Sequence, residues 1–299
     1  MNNRLNDASS CRVKPILAYL KDSIKFYDIQ NPFVAQIIFI LQLAILFSGY
    51  VFSRPYMQEF YIAFEQVNVR LQEQLGAKAL DMSLLTSDVY ISMINSFMAI
   101  VLVLFVVKSL SSLISLFYGT YYYYGLTNST MKGAQKALIF FKRLPKIIVF
   151  NILFYMAFYF VVLILVLLTG IITMIIPIFS VLTLALPLVI LALNTVFIFK
   201  DLLIIEFDIG IFRNFKKSLD LTKGCKKNVI LNSLWPLCMG WLLSFFAVDI
   251  QNALLSLFIA AFLEVIILLV SQRLTALMFI DAASLERQDK KPVKGAEQG

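Results

Sequence analysis

Residues 207–231 read FDIGIFRNFKKSLDLTKGCKKNVIL. This is the most basic stretch of its length in a chain that is otherwise strongly apolar, and its reading decides the fold. Ile211, Phe212, Phe215, Leu219 and Thr222 recur on one helical face; Arg213, Lys216, Lys217, Asp220 and Lys223 occupy the other. Asp208 suits an N-cap and Gly224 a C-terminal stop. Lying between long apolar runs, the segment reads as an interfacial helix. Its apolar face enters the headgroup boundary, while Arg213, Lys216, Lys217, Lys223, Lys226 and Lys227 meet anionic lipid.

The rest of the chain supports a membrane setting. Of 299 residues, 60% are hydrophobic and 15% charged, against about 45–50% and about 25% in soluble domains. Mean hydropathy is +0.84. The first thirty residues are polar and basic and lack a cleavable signal pattern, so the apolar run from Phe33 reads as an uncleaved signal anchor. The chain has no histidine, which removes the usual neutral-pH base and the commonest metal ligand. Three cysteines without CxxC spacing point to unpaired thiols rather than a disulfide framework or zinc site. There is no Walker-type glycine loop and no GxSxG elbow. No cofactor or metal is expected. The net charge of +8 is assigned to orientation and lipid contact, with no nucleic-acid partner.

A helix needs about 20 apolar residues to cross the hydrocarbon core. Phe33–Phe52 supplies one span, and Tyr90–Gly125 a second. Ile147–Phe199 is double-length and reads as a hairpin turning near Gly170–Pro177. Val229–Ala283 reads as another, turning at Asp249–Asn252. The expected fold is all-α, a polytopic six-helix transmembrane domain over 33–283. It is preceded by a cytoplasmic segment (1–32) with an interfacial helix and followed by a disordered cytoplasmic tail (284–299). Lysine and arginine set the orientation: 21 fall in the N-terminal segment, loops 127–146 and 200–228 and the tail, and 3 on the other side. Both termini are expected in the cytoplasm of a plasma membrane. Tyr121–Tyr124 is expected at the headgroup level. The outer loop 54–89 carries apolar residues at helical spacing, with Pro55 as a start and Gly76 as a stop. It predicts an amphipathic helix on the outer leaflet or capping the bundle.

Residues 136–150 align without a gap on 217–231, and 22–36 follows the plan more loosely. The chain reads as three copies of an interfacial helix plus a hairpin, a pattern common in transporters but not confined to them.

The segment DLLIIEFDIGIFRNFKKSLDLTKG (201–224), with Glu206, Gly210 and Ser218 in fixed spacing and two apolar spans on each side, resembles an element of one bacterial family. That family contains the membrane domain fused to some glycerophosphodiester phosphodiesterases, together with stand-alone six-span proteins. The resemblance implies a six-helix fold over about Pro32–Ala283. It implies no phosphodiesterase activity, because the catalytic domain of the fused enzymes has no counterpart here.

Charges inside spans are the best functional pointers. Lys108 shares a helical face with Ser111, Ser112, Ser115 and Gly119, a stripe that lets another helix approach closely. Glu264 lies at a matching depth, about 20 Å from the cytoplasmic boundary at 1.5 Å per residue. A buried Lys108–Glu264 pair between spans two and six is expected, with Arg273 snorkelling to the cytoplasmic side. Asn151, Asn194 and Asn232 are expected to hydrogen-bond between helices. These features predict a non-catalytic accessory or scaffold protein working beside a membrane-protein partner. The alternative is a small permease or lipid-handling transporter using the polar face of spans two and six.

Overall fold

The structure, a computed structural model, describes residues 12–76, 87–175, 181–248 and 252–289. Among them every regular element is helical: α1 (Leu17–Ile24), α2 (Pro32–Gly76), α3 (Asp88–Thr127), α4 (Gly133–Ile175), α5 (Val181–Val196), α6 (Lys200–Phe207), α7 (Ile211–Thr222), α8 (Lys226–Val248) and α9 (Ala253–Ala282). Four of these, α2, α3, α4 and α9, are long and apolar enough to cross a membrane. Large apolar side chains such as Ile40, Phe105 and Phe160 face outward along them. This is an all-α, membrane-embedded protein.

Two long helices overturn the expectation of separate interfacial elements. No helix starts at Pro55; that proline sits inside α2. A proline withdraws one N–H and crowds one carbonyl. Inside a long apolar helix that loss is tolerated. The 45 residues of α2 reach about 68 Å, against a hydrocarbon thickness of about 30 Å. The polar half beyond Arg54 is therefore part of the same helix and not a separate one. Residues 77–86 of the expected outer loop lie outside the described residues. Likewise 136–150 is the first part of α4, with Pro145 inside the helix. The N-terminal helix is α1, at 17–24 rather than 22–36. Of the three expected interfacial helices only those at α1 and α7 stand as separate elements, so the threefold plan is not repeated at the level of elements.

The end of the expected first hairpin turn at Gly170–Pro177 falls outside the described residues. Helix α4 passes through Gly170 to Ile175, and residues 176–180 lie outside the described residues, as do 249–251. Beside the latter, Asn252 Oδ1 accepts the backbone N–H groups of Leu254 (3.0 Å) and Leu255 (3.3 Å) and caps α9.

The chain divides into two compact units. The first takes Met1–Ala35, Leu116–Met239 and Ile267–Gly299; the second takes Gln36–Ser115 and Gly240–Ile266. In the first, the short α6 forms the core: Leu202, Leu203, Ile204 and Ile205 are all buried, as is the run from Ala276 to Ile280 on α9. Helix α6 packs on α4 and α7, and α5 packs on the same two. Lys200 is buried at the start of α6, paired with Asp201 at 3.1 Å, and Asp201 accepts Asn151 Nδ2 at 2.9 Å. Asp208 closes α6 in the left-handed region (φ 48°), and the N-cap of α7 is Gly210. The expected Asp208 N-cap is thus a C-cap of the preceding helix, a conformation that a short polar side chain tolerates. Cys225 is disulfide-bonded, against the expectation of unpaired thiols, whereas Cys238 is free and exposed.

In the second unit α2 and α9 meet through edge-on ring pairs, Phe39 with Phe262 (5.4 Å) and Phe47 with Phe258 (5.7 Å). Helices α2 and α3 approach at Gly49, where a Cβ would lie 2.5 Å from Val107 Cγ2.

Candidate functional site

The second unit brings Lys108 and Glu264 together. Lys108 Nζ donates to Glu264 Oε1 and, at 2.9 Å, to Tyr50 Oη; Tyr50 Oη donates to Glu264 Oε2. Three helices therefore contribute one group each to a closed hydrogen-bonded ring. The pair is not buried as expected: 46% of the Lys108 side chain and 23% of the Glu264 side chain are uncovered by protein. The neighbouring Leu102, Phe105 and Val106 are exposed as well. The cluster sits on an outer face of its unit, because α3 shows its Lys108 side to the surroundings and buries Val107.

The small-residue stripe divides. Ser111 and Ser115 are buried and receive Gln42 Nε2, which donates to Ser111 O (3.1 Å) and Ser115 Oγ (2.5 Å). Ser112 is exposed and makes no part of that contact. Gly119 belongs to the first unit and packs on Gln272, whose Oε1 would lie 2.7 Å from an added Cβ.

The first unit holds a second polar system that the sequence reading placed elsewhere. Tyr121, Tyr122, Tyr123 and Tyr124 are buried rather than belted at an interface, and Tyr118 is buried with them. Arg273 does not snorkel. It is 3% exposed, stacks on the Tyr122 ring at 4.0 Å, and donates through Nη1 to the carbonyls of Lys25 and, at 2.9 Å, Asp28. A snorkelling arginine seeks water; this one finds backbone carbonyls nearer. The segment 12–31 is held the same way along its length. Asn228 and Asn232 donate to the carbonyls of Val13 (2.8 Å) and Lys14 (2.9 Å), Tyr19 Oη to Asp281 (2.6 Å), and Tyr118 Oη to the Phe26 carbonyl. It is a docked strap, not a helix floating in headgroups. Burial and the Asp281 hydrogen bond push the Tyr19 hydroxyl well above the usual tyrosine range. Lys136, assigned by sequence to an exposed basic loop, is 1% exposed; it donates to Gln30 Oε1 and lies 4.9 Å from the Tyr121 ring centroid.

Above these groups opens a cavity of about 320 Å³ whose lining includes Asp22, Asp28, Tyr122, Arg273, Arg287 and Asp289. Arg287 is clasped by Asp22 (3.1 Å) and Asp289 (2.6 Å), contacts that raise its guanidinium pKa. The described start of the 284–299 tail is thus tied down: Gln288 N donates to the Leu126 carbonyl at 2.8 Å, and its Oε1 accepts from Ser129.

The basic helix α7 turns differently from the amphipathic reading. It buries Asn214, Ser218, Leu221 and Thr222, with Asn214 Nδ2 donating to the Lys200 carbonyl at 2.8 Å. Phe212 (89% exposed) and Leu219 face outward, beside exposed Arg213, Lys216, Lys223, Lys226 and Lys227. Lys217 is withdrawn from that set: its Nζ lies 3.9 Å from the Phe207 ring centroid, and burial lowers its pKa. Asp208 takes Lys146 (2.8 Å) and Arg143; hydrogen bonds from these two hold its carboxyl below the usual range.

Gln42 and Tyr50 escaped the sequence reading. Gln42 carried a usable signal, a lone amide within an apolar span; Tyr50 carried none. Among the described residues no group of three acidic, histidine or cysteine side chains is placed to hold a metal. Compared with protein-family models, with curated proteins and with solved structures, the chain finds no match.

Proposed function

We propose that this chain is a non-catalytic accessory or scaffold protein of a bacterial plasma membrane, crossing it six times with both termini in the cytoplasm. The apolar hairpins containing α5 and α8 supply the remaining two crossings. The basic residues around α7 lie against anionic headgroups, with Phe212 and Leu219 inserted at the acyl boundary. A partner membrane protein seats against the Tyr50–Lys108–Glu264 face.

The observation that carries this reading is the half-uncovered Lys108 side chain midway along a helix of membrane-spanning length. An ionised group in a span ordinarily faces a bundle interior, a watery cavity or a partner. Here it faces outward among apolar residues, which favours a partner. The resemblance of 201–224 to a domain that occurs fused to an enzyme fits the same role, by analogy of architecture alone.

Native mass spectrometry of the protein extracted in its own lipid patch tests the proposal. The expected result is a second protein at fixed stoichiometry, lost in Lys108→Leu. The chain retained alone, with or without a solute, overturns it. The runner-up is a small permease or lipid-handling transporter using the polar face of spans two and six; its warrant is the intramembrane ion pair itself. Solute-dependent flux in proteoliposomes, abolished by Glu264→Gln, selects that reading.

A further inference from the structure

Three cations are buried in the first unit: Lys136, Lys200 and Arg273. Lys200 has Asp201 at 3.1 Å. Among the described residues, Lys136 and Arg273 have no carboxylate within ion-pair distance. A buried charge without a counter-charge is strongly unfavourable, and Arg273, which keeps its proton in proteins, calls for an anion.

Arg273 also has donor capacity to spare. Its Nη1 serves two carbonyls, yet its Nε, fully buried, has no hydrogen-bond partner. This side chain lines the 320 Å³ cavity. Arg287, on the same wall, is already clasped by Asp22 and Asp289. Asp28 also lines the cavity; its carbonyl oxygen serves Arg273, but among the described residues its carboxylate enters no ion pair. Lys136 lies one layer behind the wall, where Gly125 keeps the partition thin: a Cβ there would meet Lys136 Nζ at 3.8 Å. One cavity thus holds an orphan cationic donor backed by a second cation, and a carboxylate without a counter-charge.

We propose that this cavity binds a compact zwitterion carrying a phosphate and a primary ammonium, with the phosphate at Arg273 and the ammonium at Asp28. The guanidinium edge suits a phosphate oxygen, and Lys136 behind it favours the more highly charged anion. The volume lies at the small end of ligand pockets, about 300–1,000 Å³, so it admits a headgroup-sized molecule and no acyl chain. That chemistry has two sources: a free phospho-amine, or the headgroup of a phosphatidylethanolamine whose chains stay in the leaflet. The inference stands independently of the accessory role.

The test is calorimetric titration of the full chain in detergent with O-phosphoethanolamine and with a short-chain phosphatidylethanolamine; inorganic phosphate and ethanolamine serve as half-ligands. At least one zwitterion should bind saturably, at least about tenfold tighter than either half. Binding should weaken at least about tenfold in Asp28→Asn and return in Asp28→Glu, a factor worth about 1.4 kcal/mol. Because the Asp28 carboxylate makes no hydrogen bond or ion pair among the described residues, both variants should keep the parental melting temperature. Binding of the lipid alone assigns the source to the leaflet; binding of the free phospho-amine assigns a soluble ligand. The proposal is overturned if neither zwitterion binds, if inorganic phosphate binds as tightly, or if Asp28→Asn binds undiminished.

Discussion

The two units of this protein handle polar groups in opposite ways. The first gathers them inward: Arg273, Lys136, Lys200, Asn214 and six tyrosines are buried, and most reach a backbone carbonyl or an acidic partner. The second has long apolar faces, an amide tie at Gln42, and an ionic ring that it leaves half uncovered. In hydrocarbon, helices gain no hydrophobic advantage from touching each other, so small residues and a few hydrogen bonds do the holding. Where a strap and short helices bring many carbonyls together, the chain can bury charge by hydrogen-bonding it to backbone. The first unit therefore depends on specific polar contacts, the second on close approach.

That contrast can be broken by substitution. The largest effect is expected for Arg273→Met, which removes two charge-assisted bonds to the strap. At about 1.5–3 kcal/mol for each such bond, a loss of about 3 kcal/mol is expected, read by denaturant unfolding in micelles. Earlier proteolysis within 12–31 should accompany it; parental stability would show that the strap is held by something else. Next, Glu264→Gln leaves Lys108 without its counter-charge and should cost about 2 kcal/mol, with Lys108→Met on that background restoring most of it. A double variant as weak as either single would mean that the pair is not coupled.

A smaller difference separates two glycines. Gly49→Ala drives a methyl to within 2.5 Å of a Val107 branch, whereas Gly119→Ala meets the mobile end of Gln272 at 2.7 Å. The first should cost about 1 kcal/mol and the second clearly less; equal losses would erase the distinction between apolar and polar contacts. The smallest effect is acid sensitivity at Asp208. Its carboxyl is held low by Lys146 and Arg143. It therefore stabilises the folded form above the ordinary carboxylate range, and that contribution disappears as pH falls through the depressed value. Asp208→Asn should flatten this part of the stability–pH curve below about pH 4 and leave neutral pH nearly unchanged. An unaltered acid limb would remove Asp208 from the account.

Some of this was legible from residues alone, through length and charge. A run of about 20 apolar residues has few places to go but a bilayer, so the membrane-embedded all-α class follows from composition and run length. Lys108 and Glu264 were marked by the cost of an isolated charge at depth. Pro55 misled because local turn chemistry predicts a helix start there, whereas the surrounding helix continues through the proline. The amphipathic face of α7 misled for a related reason. Periodicity identifies two faces but not which one the protein covers, and α6 selected the face with Asn214 and Ser218.

Sequence by itself determined the membrane class, the helical apolar runs and the presence of charges that need partners, because these depend on transfer free energies of residues taken one at a time. Tertiary structure alone decided which charges are buried. Arg273 and Lys136 look like interfacial residues in isolation. They became interior ones because carbonyls of Lys25 and Asp28, and the amide of Gln30, more than 90 residues away in sequence, replaced the water they would otherwise have sought. A hydrogen bond to a distant backbone group leaves no periodic trace in the chain, and only folding brings donor and acceptor within reach.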